Sequence, residues 1–167
     1  MNNKALFLDR DGVVNVDYGY VCRIDQFKFI DGIFEVAKLA KNKGYKIIIV
    51  TNQSGIGRGY YKIKDVEKLH QWINDTLNRD GSFIDKFYYA PYFKESKKFG
   101  LRKYLKLRKP NDGMIKQACK DFRINIKKSL FIGDQETDLQ LAKKSKITFL
   151  RAKDNTLISL FSFLKKK

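Results

Sequence analysis

Short apolar runs rich in β-branched residues alternate with segments of helical periodicity along the whole chain, and this alternation limits the folds open to it. Residues 4–9, Lys46 to Val50, Phe87 to Tyr89, Ser129 to Ile132 and Ile147 to Leu150 have the length and composition of strands. Between them, Gly32 to Lys41, Asp65 to Leu77, Asp112 to Phe122 and Glu136 to Lys144 carry apolar residues at helical spacing, and a last helix is expected over 155–164. The expected fold class is therefore α/β: a three-layer, Rossmann-like parallel sheet with helices on both faces. In such a sheet, ligands bind beyond the carboxyl ends of the strands.

Length bounds the organisation: 167 residues suit one domain with one continuous core, so 1–167 is expected to be a single unit. No run approaches the roughly 20 apolar residues of a membrane helix. With no targeting pattern, a soluble cytoplasmic protein is expected. Cys22 and Cys119 are far apart and lack metal-site spacing, which argues against a disulfide framework or a zinc cluster. The formal net charge of +17 would steer anions towards the protein, either nucleic acid or a small phosphorylated molecule. Because the basic residues are spread along the chain, with only short clusters at Lys97-Lys98 and in the expected disordered tail at 165–167, the small molecule is the preferred reading.

Asp9 and Asp11 stand one residue apart where the first apolar run ends, in Leu8-Asp9-Arg10-Asp11-Gly12. Such a pair can close a turn or do chemistry at a strand end. Three further motifs fall near later strand ends or before a helix: Thr51-Asn52-Gln53-Ser54-Gly55, Arg108-Lys109-Pro110, and Gly133-Asp134 followed by Asp138. The glycines Gly55, Gly57 and Gly59 do not have dinucleotide-fingerprint spacing. They are expected to let the backbone fold closely around a substrate, with Arg58 reaching an anionic group.

The set and order of these motifs resemble the haloacid-dehalogenase (HAD)-like phosphatases over nearly the whole chain. The resemblance implies that Asp9 is a nucleophile forming an aspartyl-phosphate, and that Asp11 protonates the leaving oxygen and then activates water. It implies Mg2+ held by Asp9, Asp134 and the main-chain carbonyl of Asp11, with Asp138 supporting this set from outside. Thr51 and Lys109 would stabilise the transferring phosphoryl group. The intervals from Asp9 to Thr51 and from Thr51 to Lys109 are nearly filled by predicted elements, so no cap domain is expected and the site should be open.

Within that superfamily, Asp9-Arg10-Asp11-Gly12, Asn15 to Val21, Phe29 to Gly32, Thr51 to Gly59 and Arg108-Lys109-Pro110 are similar to the D-glycero-D-manno-heptose 1,7-bisphosphate 7-phosphatases. That likeness implies a role in nucleotide-activated heptose synthesis for lipopolysaccharide or capsule. It implies a pocket lined by Asp17, Tyr18, Gly19, Tyr20, Thr51, Asn52, Gln53 and Ser54, with Arg108 on the substrate's remote phosphate. Gln135 stands where this family commonly carries Lys. The family's zinc loop is matched here by Ala90, Pro91 and Tyr92, then Leu105 and Leu107, none of which is a zinc ligand, so zinc is not expected. Burial of the aromatic and leucine side chains between Tyr88 and Leu107 is expected to hold the loop instead, and residues 91–107 to set specificity. His70 is expected to be an ordinary helix-face residue. A monomer acting on a small phosphorylated sugar, without membrane or nucleic-acid partner, is the resulting expectation. Histidinol phosphate or another small sugar phosphate is an alternative substrate, and a polynucleotide 3′-phosphatase acting on DNA ends is an alternative of another class.

Overall fold

In the computed structural model, which describes residues 3–93, 104–152 and Ser162, side-chain alternation along three central strands divides the core in two. These strands are β1 (Lys4–Leu8), β2 (Tyr45–Asn52) and β4 (Leu130–Gly133). On one face Leu6, Leu8, Ile47, Ile49, Leu130 and Ile132 pack against α1 (Ile33–Asn42) and α3 (Ile63–Arg79). On the other, Ala5, Phe7, Ile48, Val50 and Phe131 pack against α4 (Gly113–Phe122) and α5 (Glu136–Ser145). A strand buried on both faces has to be apolar at every position, which is why these runs lack the polar alternation of a half-exposed strand.

With β3 (Lys86–Ala90) and β5 (Thr148–Arg151), the strands form one parallel sheet in the order β3-β2-β1-β4-β5. The chain builds outward from β1 through β2 to β3, then returns to the other side of β1 for β4 and β5. The reversal lies between β1 and β4, where Leu8 pairs with Ile132 and the Asp9 amide continues the ladder to the Ile132 carbonyl at 2.9 Å. Asp9 and Asp134 thus emerge side by side at the topological switch point. Register with β2, in which Leu8 pairs with Ile49, brings Thr51 and Asn52 to the same edge.

The predicted strands and helices between residues 4 and 151 all form, with ends displaced by a residue or two. Three short features lack a sequence signal: the helix α2 (Ser54–Arg58), and 3-10 turns at Ile24–Gln26 and Ile126–Lys128. Among the described residues no inserted domain interrupts the sheet, and no helix is long and apolar enough to cross a membrane. The helix expected over 155–164 and the tail at 165–167 lie outside the described residues apart from Ser162, as does the middle of the loop, 94–103.

Candidate active site

At the β1/β4 switch point a lysine is buried between two carboxylates. Lys109 Nζ is 2.6 Å from Asp9 Oδ2 and 2.7 Å from Asp138 Oδ1, and all three residues are almost completely buried. A single buried ion would be expensive here, and mutual pairing is what makes the trio tolerable. Burial pushes the Asp9 carboxyl up to about 7; Lys109 opposes this, while Asp138 and Asp11 repel its charge and add to it. Burial disfavours the Lys109 ammonium, yet the two carboxylates outweigh that penalty and hold its pKa above the ordinary value. The amide of Asn52 latches the lysine's loop in place: Asn52 Oδ1 accepts from the Lys109 backbone N–H at 3.0 Å, and Asn52 Nδ2 donates to the Lys109 carbonyl at 3.3 Å.

Asp134 completes an acidic cluster. Ligand oxygens of Asp9, Asp134 and Asp138 lie within 4.8 Å of one another. Asp138 is already committed, since Oδ1 meets Lys109 and Oδ2 accepts the Gln135 backbone N–H at 3.1 Å to cap α5. Asp134 differs: its Oδ1 is buried without a hydrogen-bond partner, and burial raises its pKa. An orphaned carboxylate oxygen beside a second carboxylate fits a hard divalent cation such as Mg2+, which prefers oxygen ligands.

Gly12 makes that approach possible. A Cβ there would sit 2.5 Å from Asp134 Oδ2, and φ is +84°. Gly12→Ala is therefore expected to push Asp134 away from Asp9. In a thermal melt, saturating MgCl2 should stabilise the wild-type protein, by about 2.7 kcal/mol at a hundred times the dissociation constant. The Gly12→Ala protein should lose most of that increment.

Around the cluster lies a cleft of about 230 Å3 lined by Asp9, Asp11, Asp17, Gly19, Tyr20, Thr51, Asn52, Gln53, Ser54, Lys109 and Gln135, together with Tyr61 and Thr137. Most of the sequence-predicted site residues are thus brought together. Five lie outside this lining: Asp134 and Asp138, which belong to the acidic cluster already described, and Tyr18, Arg58 and Arg108. Tyr18 is 63% exposed and borders a neighbouring hollow. The Arg58 guanidinium lies 3.4 Å from the centre of the Phe93 ring and 5.8 Å from that of Tyr20, which in turn meets Tyr60 edge to face at 4.8 Å. Arg108 donates to the Tyr92 carbonyl at 3.1 Å.

Several expectations need correction. Gly55 and Gly57 accommodate the protein's own residues: a Cβ at 55 would lie 2.3 Å from the Tyr61 ring, and one at 57 would lie 2.9 Å from the Pro91 carbonyl. Leu105 is 47% exposed, so burial holds the described part of the loop chiefly through Tyr92 and Leu107. His70 faces inward from α3, stacked on Phe87 at 4.3 Å with Nε2 3.4 Å from Arg10 Nη1. Burial, aided by the Arg10 charge, holds its pKa well below the usual value, leaving a neutral ring that can accept from the guanidinium.

Arg10, Asn15, Tyr61 and Thr137 receive no role from sequence reasoning, yet three of them help to hold Asp11. Arg10, fully buried, donates from Nη2 to Asp11 Oδ1 at 2.9 Å and also to the Val21 carbonyl. Asn15 Nδ2 donates to the same Asp11 oxygen at 3.0 Å. Gln53 Nε2 donates to Asp11 Oδ2 at 3.1 Å and is itself held by Tyr61. A signal for Arg10 was present in its place between the two candidate site aspartates Asp9 and Asp11; Tyr61 had none.

Comparison with known proteins agrees with this geometry. Residues 13–155 match the family model described as polynucleotide kinase 3 phosphatase. A D-glycero-alpha-D-manno-heptose-1,7-bisphosphate 7-phosphatase of Burkholderia mallei is 48% identical over 84% of this chain and 74% of its own length. A D-glycero-beta-D-manno-heptose-1,7-bisphosphate 7-phosphatase of Helicobacter pylori is 42% identical over 87% of this chain and 80% of its own length. Among solved structures, a protein from Mesorhizobium loti described as a HAD-like phosphatase superposes with a TM-score of 0.85 at 27% identity, covering 98% of this chain and 87% of that one. The fold is also that of D,D-heptose 1,7-bisphosphate phosphatase from B. bronchiseptica, solved with magnesium and phosphate, at a TM-score of 0.84 and 20% identity, over 98% of this chain and 99% of that one.

Proposed function

Because the chain belongs to the D-glycero-D-manno-heptose 1,7-bisphosphate 7-phosphatase family of HAD-like phosphatases, we propose that it hydrolyses the 7-phosphate of this sugar bisphosphate. The pathway served would be nucleotide-activated heptose synthesis for lipopolysaccharide or capsule. The observation that carries the chemistry is the buried Asp9–Lys109–Asp138 array beside the orphaned oxygen of Asp134. Asp9 Oδ attacks phosphorus, the bond from phosphorus to the sugar oxygen breaks, and that oxygen takes its proton from Asp11. Asp11, now a carboxylate, removes a proton from water as the water oxygen bonds to phosphorus and the Asp9–phosphorus bond breaks, giving inorganic phosphate.

Lys109 and the hydroxyl and amides around Thr51 and Asn52 would stabilise the charge that gathers on the transferring group. Mg2+, held by Asp9, Asp134 and the Asp11 carbonyl, would neutralise the phosphate oxygens that otherwise repel a carboxylate nucleophile. Asp138, with both oxygens engaged, would brace Lys109 and α5 rather than bind the ion. The magnesium and phosphate bound by the B. bronchiseptica enzyme support this assignment. The catalytic unit is proposed to be a monomer. Asp17 to Tyr20 and Thr51 to Ser54 would contact the sugar, Arg108 and Arg58 its remote phosphate, and the 91–107 segment would set specificity.

The match to the family model described as polynucleotide kinase 3 phosphatase, together with the charge of +17, favours a second reading in which DNA ends are the substrate. One panel separates the two: turnover of both anomers of the heptose bisphosphate, histidinol phosphate and a 3′-phosphorylated oligonucleotide, with and without magnesium. The expected result is magnesium-dependent turnover of a heptose bisphosphate with the highest kcat/KM. Turnover of the oligonucleotide alone would reject the sugar assignment.

A further inference from the structure

We infer that Tyr61, through Gln53, is a positioning residue for the acid/base carboxylate Asp11, an inference that rests on the phosphatase reading above. The Tyr61 hydroxyl donates to Gln53 Oε1 at 2.8 Å, and Gln53 Nε2 donates to Asp11 Oδ2 and to Thr51 Oγ1, both at 3.1 Å. Tyr61 is 8% exposed and Gln53 2%.

The hydrogen-bonding inventory makes the chain directional. Gln53 turns its NH2 group towards Asp11 Oδ2, which accepts from it, and its carbonyl oxygen therefore points away. That oxygen is then buried and needs a donor, which Tyr61 supplies. Burial raises the Tyr61 pKa well above its ordinary value, so the hydroxyl keeps its proton. Without it, the amide can turn over and set Oε1 against the Asp11 carboxyl, disturbing the group that hands a proton to the leaving oxygen. The ring is anchored independently of the site: it packs with Ile56 and Val66, in space left by the missing side chain of Gly55. Asp11 Oδ1 is held from the other side by Arg10 and Asn15, so Gln53 governs the second oxygen.

A role in proton delivery predicts dependence on the leaving group. An alkoxide leaving from the sugar needs the Asp11 proton, whereas para-nitrophenolate leaves readily without it. For Tyr61→Phe, kcat/KM on the heptose bisphosphate should fall about tenfold, while kcat/KM on para-nitrophenyl phosphate changes by less than about twofold. A thermal melt of the variant establishes that it is folded. Equal losses on both substrates, or an unchanged value on the sugar phosphate, would overturn the inference. If the wild-type protein with magnesium hydrolyses neither compound, the phosphatase reading itself fails and the inference falls with it.

Discussion

Asp9→Asn should reduce turnover to less than about one ten-thousandth of the wild-type rate while leaving the protein folded. An amide has almost the shape of a carboxylate but cannot form the phosphoryl ester, so binding survives and bond making does not. The stability side of this prediction follows from the same charges. Burial and the neighbouring Asp138 and Asp11 raise the Asp9 carboxyl to about 7 in the metal-free protein. A folded-state pKa above the unfolded one means that the contribution to stability is full at low pH and is lost as pH rises through about 7. Above that pH the ionised Asp9 costs stability, and a neutral asparagine relieves the repulsion. In metal-free buffer above neutrality, thermal melts should place the Asn variant at or above the wild-type midpoint. That trade of stability for reactivity is common where like charges are gathered for a reaction.

Lys109→Ala should fail in both respects. The ammonium is the partner of two buried carboxylates, and removing it leaves Asp9 and Asp138 facing each other without a proton donor between them. Breaking a buried pair from one side is expected to destabilise the fold by about 3 kcal/mol or more, measured by denaturant titration. Turnover should fall at least about a thousandfold, because the fixed positive charge at the phosphoryl oxygens is lost with the side chain. Magnesium should recover part of the stability by neutralising Asp9, but not the rate. The contrast with Asp9→Asn is the informative feature: adjacent members of one array, one destabilising when removed and the other not.

Much of this arrangement was legible in the chain. The first strand was readable because Ala5 to Leu8 form an unbroken apolar run of strand length, whereas which face each side chain takes was not, since a strand covered on both sides carries no polar alternation. Asp9, Asp11 and Asp134 were readable because each stands just beyond an apolar run, where a parallel sheet places its ligands. Arg10, His70 and Tyr61 belong to another category. Arg10 meets His70 across 60 residues of sequence. Tyr61 reaches Gln53 over the top of a five-residue helix that has no periodic signature. Their roles depend on how α2 and α3 dock, which is fixed by packing rather than by local pattern. The glycines of the Thr51 to Gly59 segment show the same limit: their smallness was evident, but what fills the space beside Gly55 is a side chain from the same chain.

The most direct test is whether Asp9 becomes phosphorylated during turnover. Protein mixed with heptose bisphosphate and magnesium, quenched in acid within a single turnover and digested, should yield the peptide containing Asp9 with the added mass of one phosphoryl group. The modified fraction should rise in Asp11→Asn, which slows hydrolysis of the ester, and vanish in Asp9→Asn. Undiminished turnover by Asp9→Asn, or turnover without a phosphorylated Asp9 peptide in either wild type or Asp11→Asn, would contradict the account.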